Sequence, residues 1–105
     1  MRTTQFLFSY GSLQEEKVQL SVLERKLKGK FDTLIGYKKF EKKLMNKYPI
    51  IEKTNNSKDK VKGILYQVSN LDIYKIDLYE SLAYSRTSVT LKSGTKAWVY
   101  IPSFN

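Results

Sequence analysis

The alternation of apolar and polar positions divides the chain into short segments. Gln5-Phe6-Leu7-Phe8-Ser9 is an apolar run of strand length and predicts a buried strand. Tyr10-Gly11-Ser12-Leu13 follows as a turn, in which Gly11 can take a positive φ. Val18, Leu20, Val22, Leu23 and Leu27 then supply an apolar face for a helix over about 15–28. Ser12 and Glu15 have capping-box spacing at its start, and Gly29 stands as its C′ residue beyond Lys26 and Lys28. Residues 31–40 read as a strand broken at Gly36. Residues 44–52 form a second extended stretch, with Pro49 at an edge or bulge. Thr54-Asn55-Asn56-Ser57-Lys58-Asp59 is a polar loop, and 61–68 alternates as a strand.

A second helix is predicted from Ser69 or Asn70 to about Tyr79. Ser69 and Asp72 have capping-box spacing, and Leu71, Tyr74 and Leu78 at i, i+3, i+7 predict its apolar face. Residues 87–91 and 96–101 predict a closing hairpin turning at Ser93-Gly94. The order β-α-β-β-β-α-β-β has more strands than helices, and the strands come in hairpin-like runs. The expected fold is therefore α+β: a mixed, mostly antiparallel, barrel-like sheet with two main helices. At 105 residues, one domain over 1–105 is expected.

Composition narrows the chemistry. The chain has no His and no Cys. That excludes disulfides, thiolate nucleophiles, imidazole bases, the Ser-His-Asp triad and metal sites ligated by Cys or His. A carboxylate-only Mg²⁺ or Ca²⁺ site is all that composition leaves for a metal, and no cofactor is expected. No apolar run approaches the roughly 20 residues of a membrane span, and the N-terminus does not read as a leader, so a cytoplasmic location is expected.

The net charge is +9, and residues 38–62 hold nine Lys against Glu41, Glu52 and Asp59, a local excess of +6. Such a stripe is one footprint of a nucleic-acid-binding module. Only three of the nineteen basic residues are Arg, the residue that base and phosphate recognition favours, so a solvated Lys-rich surface is the better reading.

Two places remain for chemistry. A Gly turn between a buried strand and a helix start leaves backbone N–H groups that can hold a carboxylate or an oxyanion, although ordinary capped turns look the same. Glu80, at the end of the second helix, meets the negative end of the helix dipole beside Tyr79 and Tyr84. Both surroundings favour its protonated form and suit it to general acid/base work near neutral pH. The alternative is an exposed helix-end carboxylate paired with Arg86.

Together the two segments resemble a family. Leu7-Phe8-Ser9-Tyr10-Gly11-Ser12-Leu13 is similar to the substrate loop of the gamma-glutamylcyclotransferase-like (AIG2-like) superfamily. Asp77-x-Tyr79-Glu80-x-x-x-Tyr84-x-Arg86 is similar to its second signature. Gly36-Tyr37, Tyr48-Pro49, Val61-Lys62-Gly63-Ile64-Leu65-Tyr66, Val89-Thr90-Leu91 and Ala97-Trp98-Val99-Tyr100 follow in the family's order, so the resemblance covers nearly the whole chain.

It implies a small mixed α/β barrel with a pocket at Tyr10, Gly11, Ser12 and Leu13. Glu80 is then the general acid/base. The backbone of Gly11, Ser12 and Leu13 binds a glutamyl group, and Tyr84 and Arg86 shape the pocket. The implied reaction turns a γ-glutamyl amide into 5-oxoproline and a free amine, with a small-molecule γ-glutamyl substrate as the only implied partner. Gln14-Glu15-Glu16 and Ser81 depart from the family pattern in ways that bear on pocket shape, and so on substrate, more than on chemistry. A catalytically drifted ligand-binding relative is the alternative. Neither the leaving amine nor the oligomeric state is legible in the sequence.

Overall fold

In the computed structural model, residues 4–44, 48–80 and 83–102 are described, the side chains of 41–49 excepted. Ser81, and residues 1–3 where no leader was expected, lie outside the described residues. The elements are β1 (Thr4–Ser9), a 3-10 turn (Ser12–Gln14), α1 (Glu16–Leu23), β2 (Gly29–Ile35), β3 (Tyr37–Leu44), β4 (Tyr48–Lys53), β5 (Lys60–Ser69), α2 (Asn70–Glu80), β6 (Tyr84–Thr90) and β7 (Lys96–Pro102). The expected order gains a 3-10 turn and one strand, because the break expected at Gly36 (φ 86°) splits the stretch 31–40 into β2 and β3, which join different sheets.

Five strands form one sheet in the order β2-β5-β1-β7-β6, and β3 and β4 form a separate two-stranded ribbon. The pairings are antiparallel except for β1 with β7, which run parallel through Leu7 and Trp98. The sheet is therefore mixed and mostly antiparallel, but it is open rather than closed into a barrel.

Strand alternation explains the layers. From one face of the sheet, Phe8, Val61, Leu65, Ala97 and Val99 pack with Leu34, Tyr37 and Ile51 under the ribbon. From the other, Leu7, Tyr66, Val68 and Tyr100 pack with Leu23, Ile73 and Ile76 of the helices. Both faces of β1, β5 and β7 are thus covered, which is why their sequences carry apolar residues at successive positions rather than in clean alternation.

Helix α1 ends at Leu23, five residues short of the predicted end. Glu24 takes the left-handed conformation (φ 61°) and caps it with a backbone bond to Leu20. Gly29 is not a helix cap but opens β2. A Cβ there would lie 2.5 Å from Ile64 and 2.6 Å from Tyr66, so the bare backbone permits the approach of β5. The expected capping box of Ser12 and Glu15 does not form, because Gln14 N–H bonds Gly11 and Glu15 N–H bonds Ser12 in a 3-10 turn that precedes α1. Gly11 has φ −134°, so its freedom to take a positive φ is unused. On α1, Gln19 and Leu23 are buried, whereas Leu20, predicted inward, is 45% exposed.

Helix α2 starts as predicted. The Asp72 carboxylate accepts from the Ser69 N–H at 2.9 Å, and the Asp72 N–H donates to the Ser69 hydroxyl at 3.1 Å. Its predicted apolar face is the wrong one: Leu71, Tyr74 and Leu78 are 60%, 62% and 64% exposed, and Asp72, Ile73 and Ile76 are buried. The capping box and the Arg25 ion pair fix Asp72 against the end of β5 and the segment after α1, and this turns Ile73 and Ile76 toward the sheet. No helix among the described residues is long and apolar enough to cross a membrane.

Candidate functional site

The end of β1, the turn after it, the end of α2 and β7 converge on one recess. It is lined by Leu7, Phe8, Ser9, Tyr10, Gly11, Ser12, Leu13, Glu80, Tyr84 and Tyr100. Its volume is about 30 Å³, and it is partly open to solvent. Of the sequence-predicted site residues, Tyr10, Gly11, Ser12, Leu13, Glu80 and Tyr84 meet here. Arg86 does not line the recess.

The loop over 10–13 is braced on all sides. Gln14 Nε2 donates to the Ser9 carbonyl at 2.6 Å, and Gln19 Nε2 donates to the Leu13 carbonyl at 2.8 Å. Gln19 Oε1 in turn accepts from the Leu27 N–H at 2.8 Å, which accounts for a buried Gln on α1. Ser12 Oγ and the Tyr79 hydroxyl lie 2.8 Å apart, so the serine predicted to cap a helix instead ties the loop to α2. Lys39 Nζ donates to the Tyr10 carbonyl at 3.3 Å from the ribbon. The Gln14 and Glu15 N–H groups are used inside the 3-10 turn. Those of Ser12 and Leu13 come before the first N–H that can bond back within it. A loop held this rigidly presents its donors without needing to order them at the moment of binding.

Glu80 ends α2 and faces this loop across the recess. Burial pushes its carboxyl up to about 7. Glu80 is not paired with Arg86. The Arg86 Nε and Nη2 donate to the two carboxylate oxygens of Asp77 at 3.0 and 3.2 Å, and its guanidinium stacks 4.2 Å from the Trp98 ring centre. Asp77 Oδ1 also accepts from the Tyr100 hydroxyl at 2.6 Å, and the Tyr100 carbonyl accepts from the Tyr10 hydroxyl at 2.6 Å. Burial, followed by the bond to Asp77, raises the Tyr100 phenol far above its ordinary range. Burial, followed by the charges of Tyr84 and Glu80, does the same to Tyr10. Both are neutral donors at any physiological pH.

The recess thus combines backbone donors, neutral phenols and one half-buried carboxyl whose titration is moved up to about 7. Among the described residues no group of three or more acidic side chains is placed to hold a metal ion. Sequence reasoning missed Tyr100 as a site residue. Its one local trace is its place on the apolar β7, and the parallel pairing that brings β7 beside β1 has no local sequence signal. The role of Tyr79 as a tie to Ser12 was also missed, although its place beside Glu80 made it a neighbour.

A family model described as gamma-glutamyl cyclotransferase, AIG2-like, matches residues 7–104. No curated protein matches significantly. Among solved structures, a solution structure of an Arabidopsis thaliana protein is similar with a TM-score of 0.83 and 27% identity, covering 97% of this chain. The chain spans 64% of the length of that relative. A structure of a gamma-glutamyl cyclotransferase is similar in fold (TM-score 0.77, 14% identity, 96% of this chain and 68% of that one). So is a Pyrococcus horikoshii protein without an assigned function (TM-score 0.73, 22% identity, 96% of this chain and 80% of that one).

Proposed function

Because the chain belongs to the gamma-glutamyl cyclotransferase, AIG2-like family, we propose that it cyclises the glutamyl unit of a small γ-glutamyl amide, with Glu80 as general acid/base. The observation that carries this reading is that the Glu80 carboxyl, pushed up to about 7 by burial, lines the same recess as the loop over 10–13.

The reaction needs no nucleophile from the protein. The α-amine of the glutamyl unit attacks its own γ-carbonyl carbon. A new C–N bond closes a five-membered lactam, 5-oxoproline, and the C–N bond to the departing amine breaks. Two protons leave the attacking nitrogen and two arrive on the departing one. Glu80, starting as the carboxylate, carries them in turn and ends as it began. A carboxyl near 7 suits both halves, since it accepts from an ammonium and returns the proton to a departing amine at neutral pH. The remaining task is to hold the folded conformer, which supplies effective molarity. Ser12 and Leu13 offer backbone N–H groups to the α-carboxylate or to the oxyanion that forms at the γ-carbonyl, and the Gly11 N–H, which donates to the Ser9 hydroxyl at 3.4 Å, joins them by giving up that long bond. The neutral phenols of Tyr10 and Tyr100, with Tyr84, wall the recess.

Arg86 acts at one remove in this scheme. It holds Asp77, which holds Tyr100, which shapes the wall. The test is release of 5-oxoproline from a panel of γ-glutamyl compounds, with Glu80→Gln alongside. The reading expects release that falls at least about a thousandfold in the variant, near the upper part of the range for losing a general acid/base. Turnover retained in Glu80→Gln would remove Glu80 from the mechanism.

A further inference from the structure

Lys39 lies outside both signature segments, yet its ammonium reaches the substrate loop. In β3 it pairs with Ile51, and Tyr37 two residues earlier lies on the same face. Tyr37 and Ile51 are buried against the sheet, in the cluster that contains Tyr10. Lys39 is itself exposed, and from this face of the ribbon its head reaches the edge of the loop. There Nζ donates to the Tyr10 carbonyl at 3.3 Å. An ammonium has three donors, so two remain.

Its charge is also uncommitted. Arg25, Lys26, Lys75 and Arg86 each pair with a carboxylate, and among the described residues Lys39 has none within ion-pair distance. With Arg86 held by Asp77, Lys39 is a cation at the loop with donors to offer a ligand. A net charge of +9 acts in the same direction, attracting anionic ligands and repelling polycationic ones.

We propose that Lys39 is a specificity-determining residue that selects γ-glutamyl amides whose departing amine carries a carboxylate, over those whose departing amine is neutral or carries further amines. This rests on the cyclisation reading above. Lys39 does not itself line the recess; the substrate's leaving portion must therefore extend past Tyr10 to the edge of the loop, where its carboxylate would meet the free donors of Lys39. A departing alkylamine leaves those donors to water. A departing polyamine places a second cation beside the first.

The test compares kcat/KM for 5-oxoproline release from γ-glutamylalanine and γ-glutamylethylamide, which differ in the carboxylate of the departing amine. The wild-type protein is expected to prefer γ-glutamylalanine. Lys39→Gln is expected to cut that preference about tenfold, the scale of a lost charged hydrogen bond. Lys39→Arg, which keeps the charge, is expected to restore most of it, and added salt to weaken it. Equal use of the two substrates by the wild-type protein, or a preference unchanged in Lys39→Gln, would overturn the assignment. An equal loss on both substrates would also overturn it, by placing Lys39 on the glutamyl half or on loop structure alone. Release from neither substrate, with release from another γ-glutamyl compound of the panel, would overturn the assignment alone, and release from no compound of the panel would overturn the cyclisation reading and the assignment with it.

Discussion

The Tyr100 hydroxyl donates to Asp77 Oδ1 at 2.6 Å, while the carbonyl of the same Tyr100 accepts from the Tyr10 hydroxyl at 2.6 Å. One residue of β7 therefore joins the helix that carries Glu80 to the loop that faces it. Removing the hydroxyl in Tyr100→Phe breaks the helix side of this link and leaves the loop side intact. The expected stability cost is about 1 kcal/mol, because Asp77 keeps Arg86 and stays partly in water. The expected effect on turnover is larger, roughly tenfold in kcat with little change in KM, since a small error in the position of an acid/base costs rate more than binding. Urea titration beside steady-state kinetics separates the two, and a kcat loss no greater than the stability loss explains would make the contact structural alone.

Glu80 places a burden on the fold that pH reveals. Burial raises its carboxyl from 4.5 to about 7, so the folded protein holds a proton that the unfolded chain has released. Between about pH 4.5 and 7 stability therefore falls as pH rises, and the deficit persists above 7. Glu80→Gln removes a titrating group without removing its shape. It is expected to be more stable than the wild-type protein at pH 8, by up to about 3 kcal/mol, and equal to it near pH 4. Thermal denaturation of both proteins across that range checks this. A variant less stable than wild type at pH 8 would show that Glu80 has charged partners in the folded state.

Asp72 makes the opposite prediction. Burial works against its ionisation, but the Ser69 N–H, the Arg25 guanidinium and the Ser69 hydroxyl outweigh burial and hold the carboxyl below its ordinary range. That stability is present above the unfolded value near 4 and is lost as pH falls through the folded value. Asp72→Ala is expected to cost about 1–2 kcal/mol at pH 7, the scale of a lost helix cap with a charged partner, and much less near pH 2. Chemical denaturation at the two pH values should show the difference shrinking, and a cost independent of pH would mean that the carboxylate's charge contributes nothing.

How far the fold was legible depends on how local its causes are. β1, β5 and the β6–β7 hairpin follow from runs of apolar residues and the Ser93-Gly94 turn, and the start of α2 follows from two residues three apart. The buried side of α2 does not. Leu71, Tyr74 and Leu78 form as good a stripe as Ile73 and Ile76, and the choice between them comes from Ser69 and Arg25 anchoring Asp72. The early end of α1 was hidden for a related reason. Gly29 reads as a helix stop until β5 lies beside it, and only then is it a strand residue too close to Ile64 for a Cβ.

The site divides in the same way. Tyr10, Gly11, Ser12, Leu13 and Glu80 belong to short local signatures and were legible as candidates. Tyr100 and Lys39 reach the loop through strand pairings and layer packing between distant segments. Arg86 sat in a signature, yet its partner is Asp77, nine residues away across the α2–β6 connection, and its contact with the recess runs through Tyr100.

The most direct measurement is the pH dependence of kcat/KM for 5-oxoproline release, taken for the wild-type protein and for Glu80→Gln. The account predicts a wild-type rate that rises with pH through an inflection near 7, as the Glu80 carboxylate forms, and a variant with almost no rate and no such inflection. A wild-type profile that stays flat from pH 5.5 to 8.5, or an inflection that survives in Glu80→Gln, would contradict it.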